Sequence, residues 1–316
     1  MSAPVSSEPT PGTSVTSPIP YGKPPRGYRL PDATRLGRVV LQVADLARSI
    51  AYYEQILGLR VLERSGNTAT LGGHGDDRPF LELREHPGAA PVPRRGRLGL
   101  YHFAILLPDR AALGRFLAHL GGIGAYAGMA DHLVSEALYL TDPDGLGIEV
   151  YADRPRDSWR TRGQELVMTT DPLNVEDLVA AGGGAPWTGA PAGTVLGHVH
   201  LYVDSLETAA AFYHQGLGLD ETVWSYPGAL FFSAGGYHHH LGTNTWAQGA
   251  VSAGKDEARL IEWEILVPGE ADAAAALASL AAAGAAVETT SEGGIAHDPW
   301  GVGIHFRAVG DKEERP

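Results

Sequence analysis

The chain of 316 residues contains no cysteine. That absence excludes disulfide scaffolds, thiolate zinc sites, iron–sulfur clusters and a cysteine nucleophile. Basic residues are scarce: 24 Lys and Arg stand against 37 Asp and Glu, for a net charge of −13. So acidic a chain is poorly suited to nucleic acid or to an anionic membrane, because phosphate binding needs clustered cations. No hydrophobic run approaches the ~20 residues of a membrane span. The opening MSAPVSSEPTPGTSVTSPIP lacks the basic and apolar regions of a secretory signal, so a cytoplasmic location is expected. What is present is ordinary for a globular protein: 44% hydrophobic and 19% charged residues, enough to bury a core. The length suggests about two domains.

Residues 1–30 are rich in Ser, Pro, Thr and Gly and read as a disordered lead. Beyond them the chain repeats itself. LQVADLARSIAYYEQILGL from Leu41 returns as LYVDSLETAAAFYHQGLGL from Leu201, 160 residues later. HFAILLPD from His102 returns as EWEILVPG from Glu262 at the same offset of 160, and TDPDGLGIEV from Thr141 returns as HDPWGVGIHF from His297 at 156. Three matches in one order indicate a duplicated domain. The expected division is a first domain over 31–152, a linker rich in Pro, Gly and Ala over 153–194, and a second domain over 195–310.

Each half divides again. Val39, Leu41 and Val43 alternate along a strand, and Leu46, Ile50, Tyr53 and Leu57 then follow at helical spacing up to Gly58. Three short strand candidates follow, and the pattern restarts at YHFAILL. The chain thus reads as four strand–helix–strand–strand–strand units. The segments DPDG and DPWG are turns before the last strands of the second and fourth units.

Paired units opening with LGHVHLYVDSLETAAAFYHQGLGL resemble the vicinal oxygen chelate superfamily of glyoxalase I, bleomycin-resistance proteins and extradiol dioxygenases. LYHFAILLPDR, DHLVSEALYLTDPDGLGIEVYADRP and SAGGYHHHLGTNTW resemble in particular its two-domain bacterial proteins of the catechol-2,3-dioxygenase type. The resemblance implies an α+β fold, with four βαβββ modules paired into two U-shaped mixed-sheet domains. It also implies a metal held by histidine and carboxylate donors on the first and last strands of the modules.

Carried over position by position, the ligand place on the opening strands falls on Arg38, His102, His198 and Glu262. The place on the last strands of the second and fourth modules falls on Glu149 and His305. The second half thus offers His198, Glu262 and His305 as the expected metal ligands. His198 and His200 lie on the opposite strand face from Val199, Leu201 and Val203. The first half offers His102 and Glu149, with Glu82 as a third donor. Arg38 is expected to spoil that site by pairing with Glu149 or Glu82. Two imidazoles and a carboxylate with open positions suit Fe(II), with Mn(II) or another divalent ion as the alternative.

In the run Tyr237-His238-His239-His240, the resemblance gives His239, and next His238, the role of acid/base beside substrate. A bulge would hand that role, or a fourth ligation, to His240. His200, Asn244 and Trp246 are expected to contact substrate. Asp131, His132, Ser135 and Glu136 read as a structural polar network. The implied activity is extradiol cleavage of a catechol-like diol with O₂. A glyoxalase-like isomerase or lyase and a non-enzymatic small-molecule binder are the alternatives. A homo-oligomer is left open.

Overall fold

The structure, a computed structural model, describes residues 21–290 and 293–309. Four βαβββ modules are present. The first comprises β1 (Arg35–Val43), α1 (Leu46–Gln55), β2 (Arg60–Ser65), β3 (Thr68–Gly72) and β4 (Leu81–Glu85). The second comprises β5 (Gly99–Leu106), α2 (Arg110–Ile123), β6 (Gly128–Asp131), β7 (Ser135–Thr141) and β8 (Gly147–Asp153). A connection follows, carrying the small hairpin β9 (Thr161–Arg162) and β10 (Glu165–Leu166) and the helix α3 (Val175–Ala181). The third module comprises β11 (Val195–Tyr202), α4 (Leu206–Ala209) continuing into a π-helical stretch (Ala210–Gly216), β12 (Asp220–Val223), β13 (Ala229–Ser233) and β14 (Leu241–Asn244). The fourth comprises β15 (Arg259–Val267), α5 (Glu270–Ala282), β16 (Val287–Thr290), β17 (Gly293–His297) and β18 (Gly303–Ala308).

Local chemistry sets the helix boundaries. Asp45, Asp109 and Ser205 each accept a hydrogen bond from the backbone N–H three residues on, satisfying donors that a helix leaves free at its start. Gly124 ends α2 at φ +68°, a left-handed conformation costly for any residue with a Cβ. On the helix-facing side of the strands, Val39, Leu41, Phe103, Ile105, Val199, Leu201, Trp263 and Ile265 are buried. Each such side chain contributes about 1.5–3 kcal/mol in transfer from water.

The modules pair across the repeat. One eight-stranded sheet runs β16-β17-β18-β15-β1-β4-β3-β2 and joins the first module to the fourth. The other runs β12-β13-β14-β11-β5-β8-β7-β6 and joins the second to the third. The seams are antiparallel: Val40 lies opposite Glu262, and His102 opposite His200. Neither sequence half therefore closes a sheet alone. Within each half the modules meet through a helix and a turn instead. Tyr53 on α1 donates to Asp142 Oδ2 at 3.2 Å, and Tyr213 donates to Asp298 Oδ2 at 2.6 Å.

The expected disordered lead is corrected for residues 21–30, which dock on the third module; residues 1–20 lie outside the described residues. Lys23 forms a backbone bridge with Glu221, Arg29 binds Asp220 through two hydrogen bonds of 2.8 and 2.5 Å, and Leu30 is buried. Tyr21, Tyr28 and Leu30 supply the apolar surface that the Pro- and Ser-rich composition concealed. Among the described residues, no helix is long and apolar enough to cross a membrane.

Candidate metal centre and cavity

Strands β11, β5 and β8 are neighbours, and each turns its apolar alternate residues toward the helices. The opposite phase carries His198 and His200 on β11, His102 on β5, and Glu149 on β8. Three of these groups converge. Nε2 of His102 lies 3.0 Å and Nε2 of His198 3.2 Å from the same oxygen, Oε2 of Glu149. The two Nε2 atoms are 3.3 Å apart. All three residues are buried.

This set fits a divalent cation. Nitrogen and oxygen ligands about 2.0–2.2 Å from a metal, at right angles to one another, stand about 3 Å apart. The observed separations of 3.0–3.3 Å are those of donors sharing one face of such a site. The two Nδ1 atoms are buried without a hydrogen-bond partner among the described residues, so Nε2 is the nitrogen each ring commits. Burial lowers His198 to about 4 against the opposing pull of Glu149, which leaves a neutral imidazole, the form that ligates metal. Burial alone would raise the Glu149 carboxyl, but the His198 and His102 imidazoles hold it well below the usual carboxylate range.

Above this floor lies a cavity of about 530 Å³. His200, His239 and Tyr139 stand around the three donors, while Tyr101, Tyr226, Phe231 and Trp246 form an aromatic wall. Met168, Thr169 and Thr170 of the connection close another side. Tyr139 hydroxyl is 2.6 Å from Nε2 of His132, whose Nδ1 meets the Thr169 carbonyl oxygen at 2.5 Å. Burial and the nearby Glu149 raise Tyr139 well above the ordinary phenol range.

The ligand set expected from the second half is not gathered. His198 belongs to the converging group, but Glu262 and His305 lie on β15 and β18 of the other sheet. There Glu262 accepts from Arg84 at 3.4 Å, and His305 Nδ1 is 3.7 Å from Glu264. The alternative set gave His102 and Glu149 but also Glu82, which sits in the other sheet between Arg38 at 3.1 Å and Arg84 at 2.7 Å. Arg38 thus pairs with Glu82 and lies in a different sheet from Glu149. Both sets assumed that each half closes on itself. The pairing of the second module with the third mixes donors from both halves.

The histidine run precedes β14 as a turn. His239 lines the cavity, its ring centroid 4.1 Å from that of His198. His238 lies behind it, with Nε2 2.9 Å from Asp153 Oδ1. His240 points elsewhere, and its Nδ1 accepts from the Ala234 N–H at 3.2 Å. His200 lines the cavity and accepts from Asn244 Nδ2 at 3.0 Å. Asn244 also accepts from the Trp246 N–H at 3.0 Å, so it holds the wall from behind. Trp246 is half exposed at the rim.

His132, expected to be only structural, borders the cavity through Tyr139. Glu136 fits the structural reading, held by Arg110 and Arg154. Tyr139, Tyr226 and the segment 168–170 line the cavity and Asp153 stands behind it, and the sequence does not single them out. Nothing in their local pattern distinguishes them.

Four βαβββ modules with two imidazoles and a carboxylate at the floor of one sheet define a vicinal-oxygen-chelate protein. The family model of the Glyoxalase/Bleomycin resistance protein/Dioxygenase superfamily matches residues 35–150 and 195–306, and the chain belongs to that superfamily. Catechol-2,3-dioxygenase of Bacillus subtilis (strain 168) is 49% identical over 217 residues, covering 68% of this chain and 75% of the relative. The probable lactoylglutathione lyase of Vibrio cholerae is 30% identical over 132 residues, covering 38% of this chain and 91% of the relative. A putative dioxygenase structure from Bacillus subtilis superposes with a TM-score of 0.61 at 14% identity, over 89% of this chain and 86% of that one. Glyoxalase I of Zea mays superposes at 0.51 and 18% identity, over 87% and 92%. These two likenesses concern the fold.

Proposed function

We propose that the protein is an extradiol-type dioxygenase that opens the ring of a catechol-like diol with O₂, using Fe(II) held by His102, His198 and Glu149. The observation that carries this reading is the convergence of those three donors at the floor of an aromatic-walled cavity. The 49% identity to a catechol-2,3-dioxygenase supports it. The reaction inserts both oxygen atoms of O₂ into the diol, so it needs no external reductant.

Bound Fe(II) supplies the electron exchange that lets O₂ react with a closed-shell diol, and this donor set leaves positions open for both. The remaining work falls to the chain. Tyr101, Tyr226, Phe231 and Trp246 offer faces and edges to a flat ring. His239 takes a hydroxyl proton as the diol binds and returns it during ring opening; burial holds its imidazole well below the ordinary range, in the neutral form that accepts. His200, its Nε2 engaged by Asn244, presents an Nδ1–H as a donor within the same wall. Excluding bulk water strengthens each of these interactions.

The test is anaerobic loading with Fe(II) followed by air and a panel of catechols. A yellow, ring-opened product is expected. Bound metal without product would remove the reaction. Mn(II) loading in parallel decides between the two ions.

The 30% identity to a probable lactoylglutathione lyase, over 38% of this chain, favours a second reading, an isomerase or lyase that stabilises an enediolate. Turnover of a hemithioacetal without O₂ would establish it.

A further inference from the structure

Behind the cavity wall runs a hydrogen-bonded chain that ring cleavage by itself does not call for. Asp153, at the end of β8, meets Nε2 of His238 at 2.9 Å. The His238 side chain is wholly buried, whereas that of Asp153 is 28% exposed. Nδ1 of His238 lies 2.7 Å from Nδ1 of His239. His239 in turn lines the cavity beside His198. The chain thus leads from solvent, through two rings, to the wall of the site.

Hydrogen bookkeeping gives this chain a direction. A carboxylate only accepts, so the hydrogen between Asp153 and His238 belongs to Nε2 of His238. A neutral His238 then has a bare Nδ1. Two nitrogens 2.7 Å apart share one hydrogen, and only His239 is left to provide it. His239 therefore carries its hydrogen on Nδ1 and keeps Nε2 bare. This holds with both rings neutral, the state in which a single hydrogen between them must come from His239.

We propose that Asp153 is a positioning residue: through His238 it fixes His239 in the Nδ1–H tautomer, so that the cavity meets an acceptor at Nε2. The proposal rests on the reading of His239 as the group that takes the diol proton. Tyr237 braces the arrangement, since its hydroxyl donates to the same Asp153 oxygen at 3.2 Å and lies 2.6 Å from that of Tyr151.

The test is a long-range ¹H–¹⁵N correlation spectrum of the full-length chain labelled at histidine and stripped of metal by chelation. His239 is assigned from its loss in His239→Gln. The expected wild-type spectrum has a bare Nε2 at His239, and a hydrogen-bearing Nε2 would overturn the proposal without any variant. Asp153→Leu is expected to move that resonance toward the hydrogen-bearing form, and Asp153→Glu to keep it bare. An unmoved resonance in Asp153→Leu would overturn the assignment to Asp153. Tyr237→Phe is expected to leave it unchanged, and a shift there would transfer the role to Tyr237. With iron and a catechol, Asp153→Leu should lose about 10²-fold in kcat with KM little altered, the scale of general acid–base assistance. A wild-type chain that shows the tautomer but opens no ring would end the dioxygenase reading and leave the positioning intact.

Discussion

His102 and His198, 96 residues apart in the chain, aim their Nε2 atoms at one oxygen of Glu149 from neighbouring antiparallel strands. Each comes from a different half of the repeat. The site therefore exists only because the second module pairs with the third.

Metal content should follow that pairing. His102→Ala and His198→Ala are each expected to weaken metal binding beyond the about 10–100-fold typical of losing an outer partner. Glu262→Gln and His305→Ala should retain the wild-type stoichiometry. Elemental analysis of anaerobically purified variants reads both. Retention in His102→Ala with loss in His305→Ala would restore a site wholly within the second half.

Removing metal should also cost stability. A ligand at 100 times its Kd stabilises the folded state by about 2.7 kcal/mol. Chelation is expected to lower the melting temperature of the wild type and of His305→Ala alike, with no effect on His198→Ala. Scanning calorimetry with and without chelator would show it.

Gly197, next to His198, lies against Tyr151. A Cβ at that position would stand 1.8 Å from the Tyr151 hydroxyl oxygen. That hydroxyl is already committed to Tyr237, so the ring cannot withdraw freely. Gly197→Ala is expected to cost about 1–3 kcal/mol in denaturant unfolding, the usual scale of overpacking. It should also weaken metal binding by displacing β11.

The buried turn residue Asp142 should give stability a pH dependence. Burial, with Asp144 adding to it, raises Asp142 from 3.8 to about 6. A carboxyl raised on folding favours the folded state while protonated. That contribution is complete below about pH 4 and is lost as pH rises through 6. Asn at this position still accepts from the Leu146 and Asp144 N–H groups but does not ionise. From pH 4 to 7, the wild type should therefore lose roughly 2–3 kcal/mol relative to Asp142→Asn, at about 1.36 kcal/mol per unit. Parallel urea titrations across that range would test it, and a constant difference would refute it.

Substrate fit should depend on the rim. Trp246 meets Tyr101 edge-on at 5.8 Å between centroids and is half exposed. Trp246→Ala is expected to raise KM for a catechol about 10-fold, the effect of losing about 1.4 kcal/mol of ring contact, with a smaller change in kcat. Steady-state kinetics on the iron-loaded protein would separate the two.

The sequence by itself determined the modules. Offsets of 160 and 156 residues mark the repeat. Alternation at Val39, Leu41 and Val43 marks a strand, and helical spacing from Leu46 up to Gly58 marks a helix, because strand phase, helical spacing and helix-ending glycines are properties of a few adjacent residues. The resemblance also marked His102, Glu149 and His198 one by one as ligand places on opening and last strands. Tertiary structure decided which of them meet. Strand pairing is a long-range choice: β5 could in principle pair within its own half or across the repeat, and nothing local to His102 records that its neighbour is β11. Glu262 and His305 occupy equivalent places, yet they fall beside Arg84 and Glu264 in the other sheet. The chemistry of each donor is written in its residue type, and the site is made by the edge along which two modules join.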